Sequence, residues 1–219
     1  MKNELIVMLT YNDFTVKNAH EIFEECKKSK VKFWGFKDSG LPLNEMKELF
    51  KYMKKQGKST FLEVVEYTEE QGLKGAEMAL ECGCDILMGT VYFDSINAFC
   101  KKHGLKYMPF IGNVYNRPSI LDGSIESMIN QANEYLSKGV FGVDLLAYRF
   151  VDDVEELIKR LSAEVNGPIC IAGSINSYEQ LNLIKSCSPW AFTIGSGFFD
   201  NKFSGTFLEQ IDKVYNHMK

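Results

Sequence analysis

Three ionisable side chains interrupt apolar runs of strand length. Lys37 closes VKFWGFK, Glu63 lies within STFLEVVEY and Asp144 within GVDLLAY. Successive side chains of a strand point to opposite faces, so Lys37 shares its face with Val31, Phe33 and Gly35. A carboxylate inside a strand needs a partner, because burying it unpaired is expensive. Lys37 on a neighbouring strand is the natural partner of Glu63. A partly desolvated lysine has a lowered pKa and can serve as acid, base or Schiff-base former. An amine and an acid held together are what proton abstraction beside a carbonyl requires. The same residues also suit a structural ion pair, or a solvated Lys37 at a rim balancing Asp38. Asp144 reads either as an interior carboxylate or as a buried partner for an adjacent strand. Glu66 falls on the opposite face from Glu63 by alternation.

A second kind of chemistry resides in two glycine turns, AGSI at residues 172–175 and TIGSGFF at residues 193–199. Glycine lets backbone N–H groups approach an anion without a Cβ in the way. A helix N-terminus adds unpaired donors and partial positive charge. Each turn alone is equally consistent with a simple tight turn. Together they gain meaning from their place in the chain.

Strand-length runs occupy residues 4–10, 31–37, 59–67, 85–91, 106–114, 142–148, 168–174 and 191–196. Amphipathic segments such as VKNAHEIFEECKKSK and NEMKELFKYMKKQG separate them. Helix starts are marked by pairs with capping-box spacing: Thr68 with Gln71, Asp152 with Glu155, Asn176 with Glu179 and Thr206 with Glu209. Gly57, Gly83, Gly104, Gly139 and Gly167 stand where helices should close. Strand–helix alternation implies right-handed crossovers and a parallel sheet. Eight units in 219 residues predict a compact α/β fold, a (β/α)8 TIM barrel forming a single domain over residues 1–219. An open doubly wound sheet is the rival. It is disfavoured because LTYNDFT, not a G-x-G-x-x-G, follows the first strand.

In such barrels the active site lies where the strands end, and phosphate sites are commonly built after strands seven and eight. That places the two glycine turns together and predicts a phosphate cup. Lys37, Glu63 and Asp144 become the catalytic candidates. Thr10, Asn113 and Arg149 become substrate-binding candidates, with Arg149 and Arg117 also readable as plain surface charges in loops.

The stretch GPICIAGSINSYEQLNLIKSCSPWAFTIGSGFF resembles the closing quarter of the ribulose-phosphate-binding barrels. These share a G-G/S turn after strand seven and V/I-G-S/T-A/G after strand eight. The resemblance covers about a fifth of the chain and implies a phosphorylated ligand held by Gly173, Ser174, Gly195 and Ser196. It also implies a lysine at the end of strand two, as in the epimerases of that superfamily. Barrels of this kind are often dimers, so the resemblance makes a homodimer the expected assembly. The sequence departs from several members. Its three histidines, His20, His103 and His217, end no strand, which speaks against a histidine-bound metal. LEVVEYTEE lacks the lysine of a D-x-K-x-x-D pattern, and LTYND offers Asp13 only in the loop.

Composition bounds the rest. The net charge is −4, and no basic, aromatic-interleaved stretch points to nucleic acid. No apolar run approaches the ~20 residues of a membrane span, and no secretory signal is expected. The six cysteines lack zinc-like clustering and read as free thiols in a reducing, cytoplasmic compartment. The sequence therefore predicts a metal- and cofactor-independent isomerase or epimerase, less favourably a lyase, acting on a small phosphorylated substrate. A regulatory barrel that binds a phosphometabolite without turnover, resembling the glycerol-operon antiterminators, is the alternative.

Overall fold

The computed structural model describes residues 3–219. Eight parallel strands make one sheet: β1 (Glu4–Met8), β2 (Phe33–Lys37), β3 (Ser59–Val64), β4 (Ile86–Gly89), β5 (Lys106–Met108), β6 (Val143–Leu145), β7 (Ile169–Ile171) and β8 (Ala191–Ile194). Their order is β6-β7-β8-β1-β2-β3-β4-β5. The remaining gap is spanned by a bridge between Phe110 and Asp144, with the Asp144 amide donating to Pro109 O at 2.9 Å. The barrel is thus nearly closed, as the alternation of elements predicted.

Helices α1 (Ala19–Cys26), α2 (Leu43–Lys55), α3 (Glu69–Cys82), α4 (Asp94–His103), α5 (Ile125–Ser137), α6 (Val154–Glu164) and α7 (Tyr178–Cys187) follow strands one to seven. A short α8 (Ser196–Phe199) and a terminal α9 (Phe207–Met218) follow β8. No described helix is long and apolar enough to cross a membrane.

Each helix buries its apolar stripe against the outer face of the sheet. The side chains turned inward form a second cluster around Ile6, Met8, Phe61, Ile86, Met88, Met108 and Cys170. At the N-terminal end of the barrel Phe33, Phe61, Phe141 and Trp190 pack with ring centroids 5.3–6.3 Å apart. Such tilted and edge-on pairs suit the aromatic quadrupole and close that end. Gly35 leaves room for this packing, since a Cβ there would stand 2.8 Å from Phe61 Cβ and 3.0 Å from Met8 Sδ. Five cysteines are buried and Cys187 is partly so, all as free thiols.

Several boundaries move from their expected places. β1 stops at Met8, and Thr10–Tyr11 pairs with Phe14–Thr15 in a hairpin. Asn12 (φ 49°) and Asp13 (φ 67°) turn that hairpin in the left-handed conformation tight hairpins need. β5 stops before Pro109, which has no N–H to continue the ladder, and a hairpin of Asn113–Tyr115 with Ile120–Asp122 takes over. The caps of α6 and α7 are Asp153 and Ser177, each one residue later than expected. Thr206 with Glu209 forms the full capping box foreseen. Gly167 does not have the left-handed φ of Gly57, Gly83, Gly104 and Gly139. Its lack of a side chain instead admits Leu136, whose Cδ2 would be 2.6 Å from a Cβ there.

Candidate active site

The C-terminal ends of the strands surround a cleft. Its walls bring together Thr10, Asp13, Lys37, Glu63, Arg149 and the two glycine turns. Lys37 and Glu63 are direct register partners on β2 and β3. Lys37 Nζ donates to Asp13 Oδ1 at 2.6 Å, and Thr15 Oγ1 fixes the Lys37 carbonyl at 2.7 Å. The hairpin after β1 therefore delivers Asp13 onto the lysine from above. Burial pulls Lys37 towards neutrality, but Glu63, Asp13 and Asp38 outweigh it and its pKa ends above the ordinary lysine value. The expected lowering is thus reversed, because three carboxylates stabilise the ammonium more than desolvation penalises it. Lys37 is a cation in this site and not a ready Schiff-base amine.

Asp144 lies deeper along β6 than Leu146, which does line the cleft. It is fully buried, and neither carboxyl oxygen has a hydrogen-bond partner among the described residues. Desolvation and then Glu63 push its pKa well above the usual carboxylate range, with Lys37 opposing. The same environment raises Cys170, its register partner on β7. A buried, unpartnered polar group is rare and costs about 1–3 kcal/mol. Thr10 Oγ1 is a second such atom, buried and without a partner among the described residues. Both belong to the mouth of the barrel, whereas Asn3 Oδ1 before β1 and Ser162 Oγ on α6 are buried without a partner elsewhere.

The glycine turns lie side by side. Gly173 and Ser174 have φ of +100° and +67°, and Gly195 is the residue before α8. A Cβ on Gly197 would meet Ile175 O at 2.6 Å, so the second turn must be bare to seat against the first. The main-chain amides of Gly173, Ser174, Gly195 and Ser196 donate to no acceptor among the described residues. By contrast, the amides of Asn176 and Ser177 are taken by Gln180 Oε1 at 2.7 and 3.2 Å. Gly173, Ser174, Gly195 and Ser196 themselves line the cleft. Arg149, in the 3-10 turn Ala147–Arg149 after β6, packs its stem over Gly173. Its guanidinium forms no ion pair or hydrogen bond among the described residues.

Thr10, Lys37, Glu63, Arg149, Gly173, Ser174, Gly195 and Ser196 all line this cleft, and Asp144 lies just inside it. Asn113 does not. It is exposed in the hairpin ladder opposite Asp122. Asp13, which the sequence placed only in the loop after strand one, reaches the rim from the hairpin tip, and Ser119, in the loop after β5, is a rim residue that sequence reasoning passed over. Tyr67 ties that loop down, donating to Asn116 O at 2.6 Å and meeting Ser119 Oγ at 2.8 Å. The only trace of this in the sequence is the turn-forming YNRPS.

No family model matches the chain, and no curated protein matches it in sequence. Solved structures do share its architecture. Orotidine 5'-phosphate decarboxylase from Pyrococcus horikoshii OT3 superposes with TM-score 0.69 at 14% identity over 98% of each chain. N-(5'-phosphoribosyl)anthranilate isomerase from Pyrococcus furiosus gives 0.68 at 14% identity, covering 99% of this chain and 98% of its own. The glycerol uptake operon antiterminator regulatory protein from Listeria monocytogenes gives 0.60 at 15% identity, over 88% and 91% of the two chains. At these identities the likeness shows the fold alone, a (β/α)8 TIM barrel.

Proposed function

We propose that this barrel is an enzyme that moves a proton beside the carbonyl of a small phosphosugar, as an isomerase or epimerase does. The observation that carries the reading is a coincidence of opposites in one cleft. Four amides and an arginine without partners among the described residues line it together with Lys37 and Glu63, and Asp144 is buried deeper along β6.

In this reading the amides of Gly173, Ser174, Gly195 and Ser196 hold the phosphate, and Arg149 adds a charge-assisted donor. The phosphate fixes the sugar so that its carbonyl reaches Lys37. The Lys37 ammonium stabilises the negative charge that develops on the carbonyl oxygen as an enediolate forms. Glu63, beside it, takes the proton from the adjacent carbon. Asp144, protonated by its apolar setting, returns a proton or donates a hydrogen bond to the same oxygen. Thr10 offers its free hydroxyl to a sugar oxygen. Every step uses groups of this chain.

The reading is tested by thermal melting against a panel of phosphosugars with inorganic phosphate as control, combined with exchange of carbon-bound protons in D2O. Stabilisation by phosphosugars, with exchange that Lys37→Ala abolishes while binding survives, is the expected result. Stabilisation without exchange in the unmodified protein would instead identify a binding barrel without turnover. No stabilisation by any phosphorylated compound would remove the phosphate cup.

A further inference from the structure

The mouth of the barrel has a second lobe. It opens between the tips of the two hairpins and is lined by Asp13, Phe14, Lys37, Asp38, Arg117 and Pro118, among others. Asp13, Lys37 and Ser119 line both lobes, so the two are continuous and Lys37 stands at the junction. A ligand whose phosphate occupies the glycine turns and whose reacting carbons reach Lys37 would extend into this lobe.

The charges of the two lobes differ in kind. On the glycine side the cation Arg149 is unpaired among the described residues. In the second lobe both cations are already engaged. Lys37 pairs with Asp13, and Arg117 pairs with Glu66 at 3.1 Å while also donating to Val65 O at 2.6 Å. The charge left over is negative. Asp38 is half-buried, and no other side chain hydrogen-bonds its carboxyl among the described residues. Burial, then Glu66 and Glu63, push it up to about 6, opposed by Lys37, so it is ionised at pH 8. The rest of the lining sets Asn12, Ser39 and Ser119 beside an apolar strip of Val65, Pro118 and the ring of Phe14, which is 61% exposed although it sits at the rim of a cavity. A second phosphate or a carboxylate would meet an uncompensated like charge here.

We propose that the second lobe binds the non-phosphorylated end of an elongated substrate through an amino group given to Asp38, with an apolar face laid against Phe14 and Pro118. This rests on the phosphosugar reading above for the position of the phosphate. It adds that the far end of the substrate is basic or neutral and not a second anion.

The test is amide-resolved NMR titration at pH 8 with three probes: inorganic phosphate, benzylamine and benzoate, the latter two with phosphate saturating. Benzylamine should shift the amides of Asp13, Asp38 and Ser39, and benzoate should leave them unmoved. Asp38→Asn should weaken benzylamine about tenfold, the size expected of one hydrogen bond to a charged group, and Phe14→Ala severalfold. Phosphate binding should persist in both variants. Benzoate binding as tightly as benzylamine would overturn the proposal, as would an unchanged benzylamine affinity in Asp38→Asn. Failure of phosphate to shift Gly173, Ser174, Gly195 and Ser196 would overturn the phosphate reading alone. If Asp38→Asn does not fold, Phe14→Ala carries the same comparison, and unaltered benzylamine binding there would sink the apolar wall.

Discussion

The two ends of the barrel are built from the same strands and solve opposite problems. At the N-terminal end Phe33, Phe61, Phe141 and Trp190 pack against one another and close the barrel. At the C-terminal end the same strands present Lys37, Glu63 and Asp144, four idle amides and a free guanidinium. The floor is organised for burial, where each apolar contact stabilises the fold. The mouth keeps an unpartnered buried carboxylate that folding alone would not favour. A region that lowers stability in one place of an otherwise well-packed core is the expected signature of a working site.

This contrast can be broken by substitution, beginning where the effect should be greatest. Asp144→Asn should lower the rate of carbon-proton exchange by about 10²–10⁴-fold, the usual contribution of a general acid or base. The same change should raise thermal stability above pH 7, because the fold must keep Asp144 protonated where the unfolded chain would ionise it. The sign follows from linkage. The folded carboxyl binds its proton more tightly than the unfolded one, so stability is lost as pH rises above the unfolded value. A fall in the melting temperature together with unchanged exchange would make Asp144 a structural residue.

Phe61→Ala, at the floor, should do the reverse. Removing a fully buried phenylalanine costs about 3–5 kcal/mol, or roughly 10 °C in melting temperature for a chain of this size. Phosphate affinity of the folded fraction should be unaltered. Loss of phosphate binding at a temperature where the variant is folded would show that floor and mouth are coupled.

Arg149→Ala should weaken phosphate about tenfold to a hundredfold, as loss of a charge-assisted bond does. Its melting temperature without ligand should barely change, since the guanidinium has no partner to lose. Isothermal titration and melting curves read the two effects separately. The smallest effect belongs to Asp38→Asn. With its folded pKa raised to about 6 from an ordinary 3.8, Asp38 subtracts stability progressively between roughly pH 4 and 6. The variant should therefore melt higher than the parent above pH 6 and match it below pH 4. Equal melting temperatures across that range would mean that Asp38 does not feel the burial, or the nearness of Glu66 and Glu63, that the structure gives it.

The fold was legible because its signals are periodic and local. Apolar runs alternate with amphipathic stretches eight times, and a buried parallel sheet has few other ways to cover both faces. Inward placement of Lys37 followed from alternation along β2, and its pairing with Glu63 from a short crossover between neighbouring strands. The glycine turns were legible because their spacing put them at the ends of strands seven and eight. Less could be read from the loops. The hairpins that carry Asp13 and Ser119 depend on turns whose direction no periodicity encodes. Asn113 was assigned to a strand end, but Pro109 stops that strand early and sends Asn113 outward. Cap positions slipped by one residue at Asp153 and Ser177 because Asp152 and Asn176 are equally good caps by type.

By itself, the sequence determined the barrel, the order of its strands and which strand ends carry amines, carboxylates and bare backbone. Those follow from the period of the side chains and from glycine's missing Cβ, both properties of a local window. Only the tertiary structure decided the charge states and the company each group keeps. It set Asp13 on Lys37, left Asp144 and Arg149 without partners among the described residues and divided the mouth into two lobes. Electrostatic energy depends on distances across the barrel and on exclusion of water, and neither exists until the strands have closed.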